Sequence, residues 1–365
     1  MNLSTQKNII GFDYLRAMGC LMVIINHSDG LRVFAVNETI SRIFLFYYTS
    51  INLIAVPIFF QVSLYLFYVK RDKIKNYFVE KRLSKILILY GFWTCLFMLA
   101  KIAVGDFDFY DRFGTFPHIL GTIITGAKGL FYFFFSLLVI TFLADISIKI
   151  KEKFTINLKR WLFYEYLGFV LSCSYLIIVS SISLFNYQYI WTAYDNPLNF
   201  IPYIFSSYLI FQRVSTLSQQ TSYNRKREIN RIIIPLAIAF IVFTILEWKY
   251  FYRPDIFIDG IMPLYARLSL VFGSIALVYL FILLPLKPIP LVSLLSSCSL
   301  GIYCFHKFLP NFFGIGLNAI AVFLFNYNLS ENIALMSSIL FVNWLFFSIV
   351  LTLLLRKIKF FRFIL

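Results

Sequence analysis

The chain has 365 residues, of which 60% are hydrophobic and only 14% charged, and its mean hydropathy is +0.80. A soluble domain has about 45–50% apolar residues, so this composition excludes a soluble globular protein and predicts an integral membrane protein. The formal charge of +16 does not indicate a nucleic-acid partner, because no stretch between the apolar runs is long enough to form a soluble basic domain. The charged residues cluster between long apolar runs, which is typical of an all-α, polytopic helical bundle rather than a β-barrel.

Ten stretches of the chain are long and apolar enough to be membrane-spanning helices, which need about 20 mainly apolar residues. They are residues 10–28, 45–69, 84–104, 119–146, 162–185, 199–216, 231–250, 264–285, 297–324 and 334–355. The fourth and ninth are long, so we expect each to contain a bend or a re-entrant piece, with breaks at Gly126 or Gly129 and at Pro310 or Gly314. No internal repeat or linker divides the chain, so residues 1–365 are predicted to form one transmembrane domain.

The basic residues predict the orientation of these spans. If the N-terminus is cytoplasmic, 23 of the 33 Lys and Arg residues fall on the inward side and 8 on the outward side, with Arg16 and Lys307 inside helices. Cytoplasmic loops of membrane proteins are enriched in Lys and Arg, so this bias predicts that both termini are cytoplasmic. The outward stretches 106–114 and 186–197 are rich in tyrosine and mildly acidic, a composition suited to contact with a glycan.

The first predicted span carries the polar residues Asp13, Arg16 and His27. Arg16 and His27 lie on one helical face, about 16 Å apart at about 100° and 1.5 Å per residue. Asp13 precedes Arg16 by one turn, and an ion pair between them would reduce the cost of burying the guanidinium. Ionisable residues inside spanning helices commonly mark a pathway or a reaction centre. The alternative is that Arg16 extends to the inner headgroups and His27 lies at the outer interface.

The first span could also be read as a cleavable signal peptide. No small-residue cleavage site follows its apolar run, so we expect it to be retained as a helix.

Two later spans also carry polar residues. Arg82 and Lys85 open the third span and are neighbours on one face at the predicted cytoplasmic boundary. They would either bind phosphate groups or serve as ordinary positive anchors. In the ninth span, His306 follows Tyr303 by one turn, and it is either a functional residue or a core histidine with a satisfied hydrogen bond. His118 falls in a predicted outward loop and is interpreted as a solvated residue.

No metal site is predicted. The three histidines lack an H-x-x-x-H pattern, and the acidic residues are scattered among the loops. The five cysteines are odd in number, fall inside apolar runs and lack C-x-x-C spacing, so we interpret them as small packing residues.

Two segments near the N-terminus are similar to known membrane-enzyme motifs. FDYLRAMGCLMVIINHS is similar to a signature in which L-R-A is followed by an apolar run ending in histidine, and Arg16 and His27 occupy the arginine and histidine positions. VPIFFQVSLYLF in the second span is similar to a V-x-x-F-F-x-x-S-G stretch, with Ser63 at the serine and Leu64 in place of the glycine.

The later segments extend the match. YFVEKRLSKILILY is similar to an R-x-x-R motif, with Lys85 in place of the second arginine, and SLGIYCFH is similar to a late Y-S-x-Y-x-x-H motif ending in His306. LFYFF at residues 130–134 lacks the histidine of the H-L-W-F-L pattern common in the fourth span. Four motifs in this order, with ten spans, resemble the acyltransferase 3 family of multispanning enzymes that acylate surface glycans, and the resemblance covers nearly the whole chain.

The resemblance implies a bacterial cell-envelope O-acyltransferase in the inner (cytoplasmic) membrane. It implies transfer of an acyl group, most often acetyl, to a sugar hydroxyl of a surface or lipid-linked glycan. Its partners would be acyl-CoA, the glycan acceptor and membrane lipid, with no nucleic acid. No cofactor is expected to be bound, and acetyl-CoA or another acyl-CoA would serve as donor. The residues implied are His27 for catalysis, Arg16, Arg82 and Lys85 for the donor, and Asp13, Ser63, Tyr303 and His306 as further pocket residues.

Two mechanisms and one main alternative function remain open from the sequence; a third function, that of a glycan polymerase or flippase, would fit the composition but leaves the shared helical face of Arg16 and His27 unexplained. His27 would act as a general base towards the sugar hydroxyl, or it would accept the acyl group itself and pass it on. The alternative function is export of a surface polysaccharide, since polar residues near the membrane midplane also suit a transport path. The sequence shows no inverted repeat of the kind common in transporters, which disfavours export.

Overall fold

All regular structure in the described residues is helical, as the sequence predicts. The computed structural model describes residues 9–28, 38–103, 105, 107–127, 131–185, 190–219, 224–251, 263–306, 308 and 333–365. The helices are α1 (Ile10–Ser28), α2 (Glu38–Phe46), α3 (Ala55–Arg71), α4 (Leu83–Ala103), α5 (Phe109–Phe113), α6 (Phe116–Thr125), α7 (Tyr132–Lys153), α8 (Leu158–Ser183), α9 (Pro202–Gln219), α10 (Arg225–Glu228), α11 (Ile234–Phe251), α12 (Leu268–Leu283), α13 (Pro290–Phe305), α14 (Ile333–Leu355) and α15 (Lys359–Ile364).

Six helical segments within the described part of the chain are long and apolar enough to cross a membrane. They are Thr39–Arg71, Phe78–Ala103, Tyr132–Lys153, Leu158–Ser183, Arg225–Phe251 and Met336–Leu355. Each overlaps one of the predicted spans. Helices α12 and α13 are apolar but shorter, while α1 carries the polar residues that lower its apolar character. The total of ten spans and the cytoplasmic position of both termini stay predictions.

The fourth predicted span is divided into two helices. Thr115 caps the start of α6 by accepting a hydrogen bond from the backbone N–H of His118. Gly126 ends α6 in the left-handed region with φ of 61°, and a Cβ there would lie 2.7 Å from the Cβ of Phe131. Only glycine adopts this conformation at low cost, so the break expected at Gly126 or Gly129 occurs at Gly126. Gly129, Pro310 and Gly314 lie outside the described residues.

Three helices or helical segments include a π-helical turn. These turns are Tyr47–Ile51 before α3, Phe78–Arg82 before α4, and Ile229–Ile233 before α11. Single π turns inside helices are rare overall, but many of those that occur are at functional sites. The second contains Arg82 and the third contains Arg231.

The chain divides into two compact units. The first comprises Met1–Phe12 and Val56–Leu286, and the second comprises Asp13–Ala55 and Lys287–Leu365. The single transmembrane domain of residues 1–365 stays a prediction.

Buried ion pairs join helices of the first unit. The guanidinium of Arg71 donates to Asp145 at 3.0 Å and to Glu152 at 2.9 Å, which ties the end of α3 to α7. Arg267 donates to Glu247 at 2.8 Å, and the backbone N–H of Ser269 donates to the same carboxylate at 2.9 Å. These cations therefore stabilise helix packing, although the predicted orientation counts Arg71 only as an inward charge and Arg267 only as an outward one.

The second unit brings α13 and α14 into close contact. A Cβ added to Gly301 would lie 2.0 Å from the Oγ1 of buried Thr352. Only glycine at position 301 therefore allows the two helices to approach this closely. Arg356, just after α14, donates to the backbone carbonyl oxygens of Ser297 and Leu365. These contacts fix the helix that carries His306.

Candidate functional site

Two histidines lie side by side in the second unit. His27 is in the last turn of α1, and His306 caps the C-terminal end of α13. Their ring centroids are 5.1 Å apart and the ring planes differ by 31°. The side chain of His306 is fully buried, while His27 is partly exposed. The structure therefore joins two candidate residues from opposite ends of the sequence.

The surroundings of His306 define its neutral tautomer. The Nδ1 atom lies 3.2 Å from the backbone carbonyl oxygen of Ile302, one turn earlier in α13. A carbonyl oxygen can only accept, so Nδ1 carries the hydrogen in this contact. In the neutral ring Nε2 then holds the lone pair and is the atom able to take a proton.

Aromatic side chains surround the histidine pair. The ring of Tyr303 lies 6.1 Å from that of His306, and the ring of Trp344 in α14 lies 6.5 Å from it. Both aromatic residues are buried. Trp344 was not predicted, because nothing in the local sequence of α14 marks it as a neighbour of a histidine far away in the chain.

The carboxylate of Asp13 interacts electrostatically with the guanidinium of Arg16 one turn away, and it also has a hydrogen-bond partner that its spacing did not suggest. This carboxylate accepts a hydrogen bond of 2.7 Å from the hydroxyl of Ser296 in α13. The hydrogen bond ties the start of α1 to α13 and thereby supports the helices that carry His27 and His306. Arg16 follows Asp13 by one turn of α1 and is partly buried.

The remaining candidate residues form a group in the first unit. The guanidinium of Arg82, at the end of the π turn before α4, donates to the hydroxyl of Ser63 in α3. Both side chains are partly buried, whereas Lys85 is exposed one turn further along α4. The second and third predicted motifs are thus in direct contact through Arg82 and Ser63, and Lys85 has no ion-pair partner among the described residues.

The remaining predicted features are His118, the cysteines and the absence of a metal site. His118 is in α6, and its Nδ1 lies 3.0 Å from the carbonyl oxygen of Tyr110. The five cysteines are unpaired; Cys95 is exposed and the other four are buried. Within the described residues no cluster of three or more His, Cys, Asp or Glu side chains could hold a metal ion.

The helices and the histidine pair define an integral membrane protein with a candidate acid–base centre. The sequence profile of the acyltransferase 3 family, described as an acyltransferase domain, matches residues 9–357, nearly the whole chain. The chain therefore belongs to this family, and the membership indicates a membrane acyltransferase. No curated protein and no solved structure matches the chain.

Proposed function

We propose that the protein is an integral membrane O-acyltransferase of the bacterial inner membrane. It moves an acyl group, in the first instance acetyl, from cytoplasmic acyl-CoA to a sugar hydroxyl of a surface or lipid-linked glycan. The observation that carries this proposal is the contact between His27 and His306, whose rings are 5.1 Å apart.

The first step of the reaction requires a base. A sugar hydroxyl is a poor nucleophile at neutral pH, so an imidazole within hydrogen-bond reach must accept its proton as the oxygen attacks the thioester carbonyl. The new C–O bond forms, the C–S bond breaks, and the departing thiolate takes up a proton. Nε2 of His306 is oriented as an acceptor by the bond from Nδ1 to Ile302, and partly exposed His27 is the more accessible ring for substrate.

The pair also suits a covalent relay. In that version a nitrogen of His27 attacks the thioester carbonyl and the thiolate leaves, giving an acyl-imidazole. The sugar hydroxyl then attacks this acyl group, its proton passes to His306, and a proton is returned from His306 to His27 as the C–N bond breaks. Direct transfer and relay assign the same two residues and differ in whether the enzyme carries the acyl group.

The donor's phosphates require cations. We assign this role to Arg82, whose contact with Ser63 holds its guanidinium in one orientation, with Lys85 one turn away and Arg16 in α1. A guanidinium binds phosphate with paired hydrogen bonds and an ammonium as a point charge. Asp13 is a positioning residue in this proposal, since it acts through its hydrogen bond to Ser296 in the His306 helix.

Purified protein in liposomes tests the proposal with radiolabelled acetyl-CoA and a glycan acceptor. We expect transfer by the wild type and by His118→Ala, a matched histidine variant outside the pair, and its loss in His27→Ala and His306→Ala. Acid quenching without acceptor distinguishes the mechanisms, because only the relay leaves label on the protein. Transfer by His27→Ala at the wild-type rate would contradict the assignment. Glycan export without acylation would favour the exporter.

A further inference from the structure

A crevice in the first unit is lined by none of the residues assigned to acyl transfer. Its volume is about 360 Å3, within the range of about 300 to 1,000 Å3 common for ligand sites. Helices α8, α9, α11 and α12 and the π turn before α11 enclose it. Its apolar walls are formed by Tyr166, Phe169, Leu209, Ile210, Leu236 and Ile275. The residues of this crevice have no part in the proposed acyl transfer.

One end of the crevice is strongly polar. Arg213 pairs with Glu228 through two contacts, and the hydroxyl of Tyr279 donates to the same carboxylate at 2.9 Å. Because Glu228 balances the charge of Arg213, the uncompensated charge at this end comes from Arg231. Arg231 is exposed and forms no ion pair within the described part of the chain.

A second, more open cavity continues from Arg231. Its lining consists of Asn224, Lys226, Arg227, Asn230 and Arg231, with no acidic residue among them. Three cations therefore converge beside the mouth of an apolar crevice. Such an arrangement attracts an anion that is attached to an apolar group.

The crevice changes from basic to apolar along its length. Ser206, Leu209, Ile210 and Arg213 share one face of α9, and the rise from Ser206 to Arg213 along the helix is about 10 Å. The basic end is thus one to two helical turns from the apolar end. Helix α11 beside it exposes a stripe of apolar side chains, Ile234, Ile238, Ile241 and Ile245, as expected of a helix facing lipid tails.

We propose that this crevice binds one anionic phospholipid. The lipid phosphate contacts Arg231, Lys226 and Arg227, and one acyl chain lies against the apolar walls. A nucleotide or a sugar would leave polar groups unpaired against those walls, which is unfavourable. A zwitterionic lipid would leave the three cations without a net counter-charge. The site takes no part in acyl transfer. The bound lipid would belong to the membrane leaflet in which α9 ends and α11 begins.

Native mass spectrometry of the purified full-length chain tests this site. The protein is titrated with phosphatidylglycerol or phosphatidylcholine, and the bound lipid is counted. We expect one phosphatidylglycerol to be retained preferentially, and the triple variant K226Q/R227Q/R231Q to bind it at least about tenfold more weakly, since each basic residue near a lipid headgroup contributes about 1 kcal/mol.

Two further variants separate charge from shape. K153Q/K159Q/R160Q removes the same charge at the end of α7 and the start of α8, and it should bind phosphatidylglycerol like the wild type. Leu209→Trp keeps all three cations but fills the crevice, and it should lose the retained lipid. The unfolding temperature in phosphatidylcholine alone verifies that each variant is folded.

Four results would overturn the proposal. Equal retention of phosphatidylglycerol and phosphatidylcholine, or equal loss in both triple variants, would indicate only a general shell of lipid. Retention by a folded Leu209→Trp protein would exclude the crevice. Displacement of phosphatidylglycerol by an equimolar polyprenyl phosphate would identify a carrier lipid as the occupant instead.

Discussion

Arg82 differs from the neighbouring cations because its side chain has a fixed hydroxyl partner. Its guanidinium donates to Ser63, whereas Lys81, the preceding residue in the same π turn, is exposed. A phosphate group of the donor would be bound by a pre-oriented arginine at a lower entropic cost than by a free lysine.

Replacing Arg82 by Gln should therefore weaken donor binding. We expect the KM for acetyl-CoA to rise by about tenfold or more, because a hydrogen bond to a charged group contributes about 1.5–3 kcal/mol. Lys81→Gln removes one charge from the same turn and should leave KM nearly unchanged. Steady-state transfer rates at varied acetyl-CoA measure both values. An equal effect of the two variants would show that Arg82 acts only as a general positive charge and not as a specific phosphate ligand.

A second residue-scale prediction concerns the carboxylate of Glu247. It accepts hydrogen bonds from Arg267 and Ser269, and Arg267 is only 2% exposed. Glu247→Gln leaves a buried guanidinium without its counter-charge and should destabilise the protein by about 3–5 kcal/mol. Unfolding in detergent solution measures this loss.

The matched control for Glu247 replaces both charges. The double variant E247L/R267M removes the buried cation together with its partner, so it should recover most of the lost stability. If Glu247→Gln unfolds at the wild-type temperature, or if the double variant is less stable than the single one, the ion pair is not what joins α11 to α12.

At the scale of helices, the contact between α13 and α14 positions His306. Gly301 allows this contact because any Cβ would overlap Thr352, 2.0 Å from its Oγ1. Gly301 and His306 lie on the same helix, so a displacement of α13 at the glycine would move the histidine relative to His27.

Gly301→Ala should consequently destabilise the protein by about 1–3 kcal/mol, the usual cost of overpacking, and reduce acyl transfer. Gly91→Ala is the matched control, since a Cβ there meets nothing within 4 Å, and alanine is favoured over glycine in a helix by about 0.5–1 kcal/mol. Thermal unfolding and transfer assays compare the two. The double variant G301A/T352A should regain part of the stability; a Gly301→Ala protein as stable and active as Gly91→Ala would contradict the packing argument.

The sequence predicted most helices but not their contacts. Apolar runs located the spans, and Gly126 marked the break between α6 and α7, because these signals are local. The proximity of His27 to His306 and of Asp13 to Ser296 depends on tertiary packing. Motif order suggested that the histidines share a function, but a single sequence does not determine the distance between two residues so far apart in the chain.

At the scale of the whole molecule, the distribution of basic residues predicts an orientation, but it does not predict which of them form buried ion pairs. Arg71 and Arg267 were counted only as an inward and an outward charge, yet both are buried beside carboxylates. Such cations are at helix ends, where a hydropathy scan does not distinguish an exposed anchor from a partner in a buried ion pair. The orientation argument is little affected, because these two are a small part of the 33 basic residues.

The predicted orientation can be tested by labelling single cysteines in a background without the native ones. Tyr110→Cys lies in a predicted outward stretch, and Lys153→Cys and Lys357→Cys lie in predicted inward ones. A membrane-impermeant maleimide should label only the first in intact cells and all three after permeabilisation. Labelling of either lysine position in intact cells would contradict a cytoplasmic location for that segment.

The central claim is that His27 and His306 together perform acyl transfer. Its most direct test is the ester content of surface glycan, measured by NMR before and after mild alkali, in host cells that lack the gene. The cells carry wild type, His27→Ala, His306→Ala or His118→Ala at equal protein levels. We predict that esters return with wild type and His118→Ala and stay absent with the other two. Full restoration of esters by either His27→Ala or His306→Ala would show that this histidine is structural and that the pair is not the reaction centre.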